Sequence, residues 1–459
     1  MITTVDPANG RVLDTYRYTG EREVGVALRR AQAAVRERTD EPIQQRALCF
    51  RMLADLLRAR REDLALLITV EMGKPLTQAR AELDKCATTC EFYAERIPEL
   101  LEPQAVDVFP ETAEVRMRPL GVILSVMPWN YPFWQVIRAM LPAVAVGNAI
   151  VLKHADNVSG CARVLQSLFD EVFGAGILTT LMLPAHRIGP LIDDPLIAGV
   201  AFTGSNRVGA LIGARAGRSV KKTVLELGGS DPFIVLGDAD VPAAAAAAVR
   251  GRFLNNGQSC IAAKRILVER SVFSEFVEAM LSELDGLVYG DPTSEATDVG
   301  PMARVDLRDE LRRQLDSAVA AGARVLYGGK PDERPGAWFP PTLIQVPDTT
   351  NPAFREETFG PLGVIKPFTS PAAALTAANE SIYGLSCAIW GRDRSVIDYL
   401  ADHLDAGSVF VNRISESDPR LPVGGVKASG YGRELSHWGM AEFANIQAVR
   451  SAATSRSTR

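Results

Sequence analysis

The alternation of apolar and polar residues changes period twice along the chain. Over residues 22–100, apolar side chains recur at three- and four-residue spacing. Leu53, Leu56, Leu57, Leu64, Leu67 and Ile68 carry the pattern, with Arg58, Arg60, Arg61 and Glu62 between them. This spacing predicts helices with one apolar face, and Gly73-Lys74-Pro75 reads as a helix stop. Thr112 to Arg118 instead alternates residue by residue, which predicts an exposed strand. Glu114, Arg116 and Arg118 put charge on one face of it, as an edge or arm strand would.

From Gly121 onward, short apolar runs alternate with helix-like stretches. Gly121 to Met127 reads as a buried strand, followed by Pro128-Trp129-Asn130-Tyr131-Pro132 and a helical stretch to Val146. Further strands are expected at Ala149 to Lys153, Ile177 to Leu183, Gly199 to Phe202 and Thr223 to Glu226. After Gly228-Gly229-Ser230 the rhythm repeats, with a strand at Phe233 to Leu236 and a helix at Ala243 to Phe253. Six consecutive alanines in that helix act as helix formers. Further units run to Val409-Phe410-Val411-Asn412. Strands alternating with helices mean parallel β-α-β winding, and such sheets bind ligands at the carboxyl ends of their strands. The fold class is therefore α/β, with two doubly wound parallel-sheet domains. No repeat of solenoid period is visible, and the polar tail Ser451 to Arg459 is expected to be disordered.

Composition narrows the function. A length of 459 residues suits about three domains, or two large ones with an appendage. The formal charge of −5 shows no basic excess, which argues against nucleic acid as a partner. The six cysteines (Cys49, Cys86, Cys90, Cys161, Cys260 and Cys387) are too sparse for a disulfide scaffold and form no CxxC pair, so no metal is expected. Cys86 and Cys90, one helical turn apart, read as two buried thiols. The longest apolar run, around Leu141 to Leu152, is too short to span a bilayer, and the first residues have no signal-peptide pattern. A reduced, soluble, cytoplasmic protein with no membrane partner is expected.

Candidate chemistry centres on Asn255-Asn256-Gly257-Gln258-Ser259-Cys260. Cys260 follows a tight turn and precedes a strand-like run. The bland reading is a small buried hydrophobe; a nucleophile would need a base and an oxyanion donor elsewhere. Asn130 stands at the end of a strand in a proline-stiffened turn, where a neutral amide N–H can stabilise an oxyanion. Taken alone, a turn asparagine is the favoured reading. Glu226 ends an apolar strand, where burial should raise its pKa and suit it as a base. A structural carboxylate bonding nearby backbone N–H groups is the other reading. Gly204-Ser205-Asn206-Arg207-Val208-Gly209 follows a strand and opens a helix, offering N–H groups to a phosphate, although its spacing is not G-x-G-x-x-G. Lys153 and Asp156 follow another strand, where a carboxylate could bond a ribose hydroxyl.

Together these segments resemble the aldehyde dehydrogenase superfamily. Pro128-Trp129-Asn130-Tyr131-Pro132, Phe202-Thr203-Gly204-Ser205, Glu226-Leu227-Gly228-Gly229-Ser230, Asn256-Gly257-Gln258-Ser259-Cys260 and Glu356-Glu357-Thr358-Phe359-Gly360-Pro361 occur in the superfamily's order, and the resemblance runs from Asp6 to about Arg450. It implies Cys260 as nucleophile, Glu226 as general base and Asn130 as oxyanion donor. It also implies a nicotinamide dinucleotide site at Trp129, Lys153, Asp156, Thr203, Gly204, Ser205, Val208, Leu227, Glu357 and Phe359. Within that site Lys153 and Asp156 would hold the adenosine ribose, Ser205 would meet the pyrophosphate, and Glu357 and Phe359 would meet the nicotinamide ribose and ring. The implied architecture is a Rossmann-like NAD-binding domain (1–100, 120–227 and 413–439), a catalytic domain (228–412) and a small β oligomerisation arm (101–119 and 440–459). A homodimer or homotetramer is expected.

Within the superfamily, Lys153 to Val158, Ser417 to Lys427 and Ser429 to Leu435 look like the bacterial succinate-semialdehyde dehydrogenases. Arg138 lies about two helical turns after Asn130 in a mostly apolar stretch, where a guanidinium would suit a substrate carboxylate; a salt bridge within the domain is the alternative. Ser417 is a second candidate for that carboxylate. Some members place a further arginine six residues before the nucleophile, where this chain has Leu254. The expected reaction is oxidation of succinate semialdehyde to succinate; other small or medium aliphatic aldehydes remain open. Asp156 would repel a 2′-phosphate, so NAD is expected to be preferred, with NADP possible. A coenzyme A-acylating relative would not need Glu226, and a non-catalytic relative would not need the nucleophile, base and oxyanion donor together. Ala262 in place of a second cysteine excludes a redox disulfide at that spacing.

Overall fold

In the computed structural model, which describes residues 1–452, the early periodicity becomes four helices: Glu21–Glu37, Ile43–Ala59, Arg61–Met72 and Leu76–Leu100. Gly73 takes a left-handed conformation (φ 78°) and ends the third. A side chain there would strike the Pro301 carbonyl, so the stop is required by close packing as well as by the turn. The helix Leu76–Leu100 packs on Trp134–Val146, whose residues are all buried.

Two twisted sheets organise the rest. The first runs in the order Gly430–Tyr431, Lys222–Glu226, Ile197–Thr203, Val122–Met127, Ala149–His154, Leu178–Thr180. Its last five strands are parallel; the short Gly430–Tyr431 strand joins antiparallel, pairing Gly430 with Glu226. The second runs Arg324–Tyr327, Thr342–Gln345, Leu362–Phe368, Ala263–Glu269, Asp231–Val235, Ser386–Trp390, Ser408–Val411, and is parallel apart from its first strand. Both sheets are covered by helices, which is why their strands read as apolar runs rather than alternating ones. The alanine-rich stretch is the helix Val241–Phe253. Its first turn holds Pro242, and Asp240 caps it by accepting from the Ala243 N–H at 3.1 Å.

Glu111–Pro119 is the exposed strand expected at Thr112 to Arg118, but it lies centrally rather than at an edge. It is flanked antiparallel by Gln104–Val108 and Ala444–Ser451. Ser451, expected in a disordered tail, therefore closes a strand, while 453–459 lie outside the described residues. Buried Asn148 ties this small sheet to the first large one. Its Oδ1 accepts from the Leu120 and Gly121 N–H groups (2.8 and 2.9 Å), and its Nδ2 donates to the carbonyls of Ala143 and Phe443 (both 2.9 Å). Among the described residues, no helix is long and apolar enough to cross a membrane.

Candidate active site

The Cys260 turn is shaped by consecutive left-handed residues. Asn255 and Asn256 have φ of 58° and 55°, and Gly257 has 69°. Asparagine tolerates this region better than most residues. Gly257 is needed for a further reason: a Cβ there would lie 2.3 Å from the Gly360 carbonyl oxygen. Side chains then hold the turn. Asn255 Nδ2 donates to the carbonyls of Asn130 (2.9 Å) and Gln258 (3.0 Å), and Asn256 Nδ2 donates to Gly73 and Pro301 (both 2.8 Å). Gln258 Oε1 accepts from the Ala303 N–H at 2.9 Å. The outcome is a half-buried Cys260 lining a cavity of about 370 Å³.

Asn130, at the carboxyl end of Val122–Met127, is brought to this turn. Its Nδ2 donates to the Gln258 carbonyl (3.1 Å), and its Oδ1 accepts from Gln135 Nε2 (3.3 Å). An amide carries two N–H protons, so one remains for another acceptor. The proline-flanked loop is also held by His154, whose Nε2–H donates to Pro132 at 2.8 Å while Nδ1 accepts from the Ala155 N–H. Burial drives the His154 pKa to about 4, so the ring is a neutral strut.

Glu226 ends its strand fully buried, and its Oε1 has no hydrogen-bond partner among the described residues. Burial first, and Glu434 second, push its pKa to about 8, against the opposing pull of Arg138 and Arg433. This is the direction the sequence led us to expect. Cys260 is pushed up to about 11, chiefly by burial; Arg138 and Lys264 draw it down, while Glu226 and Asp231 oppose them. The thiol is therefore protonated at neutral pH in this arrangement.

Arg138 combines the two readings that the sequence left open. It is buried and lines the Cys260 cavity, but it is not alone there: its Nε donates to buried Glu434, and its Nη2 has no partner among the described residues. The domain salt bridge and a place in the cavity are both present. Ser417 lines the same cavity. Sequence reasoning assigned no role to Glu434, although its segment had been singled out, nor to Lys264. Lys264 Nζ donates to the carbonyls of Gly229 (2.6 Å) and Cys260 (2.7 Å) and to Glu357 Oε1 (3.0 Å), so it pins the two sides of the site together. A lysine in the apolar strand after Cys260 was the available signal.

None of the residues expected to hold the dinucleotide lines the Cys260 cavity. Ser205 precedes the helix Asn206–Arg218, and its hydroxyl makes no capping bond. Thr203, the last residue of its strand, is buried, with Oγ1 unpartnered among the described residues. A Cβ at Gly209 would lie 2.4 Å from Leu227, so glycine permits the close helix–strand contact; Val208 packs in the same cluster. Ser205, Glu357 and Phe359 line a second cavity of about 380 Å³. Phe359 meets Trp129 edge-on, with centroids 5.7 Å apart. Gly204 donates its N–H to the Glu226 carbonyl at 3.0 Å, linking this side to the base. Lys153 and Asp156 line neither cavity and bond each other at 2.8 Å, with Asp156 half exposed. A free hydroxyl and backbone donors at a helix start, a buried orphan hydroxyl and an open cavity beside an aromatic pair fit a dinucleotide. Cys86 and Cys90 are buried, and no cluster of three metal-ligating side chains occurs among the described residues.

The chain matches the model of the aldehyde dehydrogenase family over residues 1–449. It is 45% identical over 447 residues to the succinate semialdehyde dehydrogenase [NAD(P)+] of Escherichia coli (strain K12), covering 97% of both chains. It is 43% identical over 452 residues to the succinate-semialdehyde dehydrogenase [NADP(+)] of Mycobacterium leprae (strain TN), covering 98% of this chain and 99% of that one. The crystal structure of succinic semialdehyde dehydrogenase from Streptococcus pyogenes in complex with NADP+ superposes with a TM-score of 0.95 at 34% identity, over 98% of this chain and 99% of that one. With the same order of motifs, the same two-sheet fold and a match over nearly its whole length, this chain belongs to the aldehyde dehydrogenase family.

Proposed function

We propose that this enzyme oxidises succinate semialdehyde to succinate with a nicotinamide dinucleotide, and that Cys260, Glu226 and Asn130 carry the chemistry. The observation that carries the reading is the convergence on one cavity of a thiol and cationic side chains from distant parts of the chain, with a buried carboxylate, Glu226, whose charge acts on both Cys260 and Arg138. The Cys260 thiol gives up its proton to solvent water, and the thiolate adds to the aldehyde carbon, forming the C–S bond of a thiohemiacetal. The remaining Asn130 amide proton and the Cys260 backbone N–H donate to the oxyanion; losing one such donor costs ~10²–10³ in rate. When bound, the dinucleotide supplies the acceptor for the hydride that leaves this carbon. Glu226 then takes a proton from water, which attacks the resulting thioester. The C–S bond breaks, and Cys260 leaves as thiolate as the carboxylic acid forms.

Trp129, Thr203, Gly204, Ser205, Val208, Leu227, Glu357 and Phe359 would hold the dinucleotide, with Lys153 and Asp156 at the adenosine ribose. The Asp156 carboxylate opposes a 2′-phosphate, so NAD is preferred; because Lys153 pairs with that carboxylate, NADP is still admitted. Residues 1–100, 120–227 and 413–439 form the dinucleotide domain, and 228–412 the catalytic one. The segments 101–119 and 440–459, of which 453–459 lie outside the described residues, would form an arm for a homodimer or homotetramer. In support, Val106, Phe109 and Ile446 are exposed apolar residues on that small sheet and its turn. Arg138 and Ser417 face the far end of the substrate.

A panel of aldehydes assayed with NAD and with NADP tests this reading. Succinate semialdehyde should give the highest kcat/KM, and NAD should exceed NADP. A neutral aldehyde preferred over succinate semialdehyde would overturn the substrate; NADP preferred would overturn the role of Asp156.

A further inference from the structure

We propose that Lys85 is a specificity-determining residue, which with Arg138 and Ser417 holds the far carboxylate of the substrate. This deepens, and rests on, the acid-tailed aldehyde reading above. The helix Leu76–Leu100 presents Gln78, Ala81, Glu82 and Lys85 to the Cys260 cavity at helical spacing, and Trp134–Val146 presents Trp134, Gln135 and Arg138 opposite. Four cations line that cavity: Lys74, Lys85, Arg138 and Arg250. Lys74 is consumed by Glu82, and Arg138 is engaged through Nε by Glu434. Arg250 is exposed, so solvent screens it.

Lys85 differs from all three. It is half-buried, and among the described residues it has neither a salt-bridge partner nor a side-chain hydrogen bond; its Nζ sits 4.7 Å from the centre of the Trp134 ring. The acids whose fields reach it are otherwise employed: Glu82 binds Lys74, and Asp418 is held by Arg420 with Nε 2.8 Å from Oδ1. Burial, then the charge of Arg138, lowers the Lys85 pKa to about 8, while Cys86, Asp418 and Glu82 oppose this. A desolvated ammonium without a counter-ion is costly to keep. A substrate carboxylate in the same cavity would supply the missing partner, and the unpartnered Nη2 of Arg138 would supply a second donor. Leu254 and Ile414 offer the carboxylate nothing, and Glu416, which also lines the cavity, is paired with Arg413.

The test compares kcat/KM for succinate semialdehyde and for butanal in the wild type, Lys85→Met, Lys85→Gln and Lys85→Arg, together with competitive inhibition by succinate. The acid-to-neutral ratio should fall about 10- to 100-fold in Lys85→Met and Lys85→Gln, the loss of one charge-assisted bond. The fall should lie in KM rather than kcat, and succinate should inhibit correspondingly less. Lys85→Arg should recover most of both. A wild type without preference for succinate semialdehyde over butanal would sink the substrate reading itself. A wild type with that preference, and an unchanged ratio in whichever neutral variant folds, would sink the assignment of Lys85 alone. A purely structural Lys85 would depress both aldehydes together and leave the ratio standing.

Discussion

Two buried ion pairs flank the Cys260 cavity, and they differ in how completely they are satisfied. Lys74 and Glu82 close on each other. Glu82 Oε1 also accepts from the Phe133 and Trp134 N–H groups (both 2.9 Å) at the start of a helix, and the Lys74 ammonium lies 3.8 Å from the centre of the Tyr131 ring. No polar side-chain atom of that pair is left over. Arg138 and Glu434 also close on each other, but among the described residues Arg138 Nη2 is left without a partner, and neighbouring Glu226 has an unpartnered Oε1. Leaving a polar atom unpaired inside a protein costs about 1–3 kcal/mol. A pair that meets all its needs internally can only brace the structure. One that does not is available to a ligand or to a reaction. On this contrast Lys74 and Glu82 brace the structure, while Arg138 and Glu226 each keep an atom open to a ligand, as the proposed roles require.

The comparison can be broken at either pair. The largest effect is expected from Glu226→Gln. One turnover of reduced dinucleotide should appear rapidly, followed by a steady state slowed by ~10³, since the thioester would lack its base. In the wild type that slow step should accelerate as pH rises through about 8, because the carboxylate must lose its proton to act. The acceleration should be absent in the variant, and rapid-mixing traces across pH would show both. A Glu226→Gln enzyme with an unaltered steady state would remove Glu226 from the mechanism.

Next comes Lys74→Met, which strands the Glu82 carboxylate in the interior. Stability in urea should fall by ~3–5 kcal/mol, and adding Glu82→Gln should recover part of it. If the single variant is as stable as the wild type, the distinction between a bracing pair and an available one fails. The smallest effect is expected from Arg138→Ala. Its kcat/KM for succinate semialdehyde should drop by ~2 kcal/mol more than for butanal, as for a charge-assisted bond. A smaller loss common to both aldehydes should accompany it, because Glu434 would lose its cation beside Glu226. Equal losses on the two substrates would leave Arg138 a partner of Glu434 only.

The sequence by itself determined what depends on local pattern. Three- and four-residue spacing marked the early helices, apolar runs marked both parallel sheets, and Gly257-Gln258-Ser259 marked the turn before Cys260. The order of motifs was enough to place the chain in its family. Burial at the end of an apolar strand was enough to foresee a raised Glu226. What only the tertiary structure decided is which charge meets which. Glu434 reaches Arg138 across 296 positions, and Lys264 reaches Glu357 across 93. The sequence left open whether Arg138 is paired, because its partner comes from the far end of the chain, and nothing in the local pattern singled out Lys85. Periodicity reports the environment of a backbone segment, because burial of one face repeats with the helix or strand. Whether a buried charge is paired depends on how distant segments cross, and no local spacing encodes that.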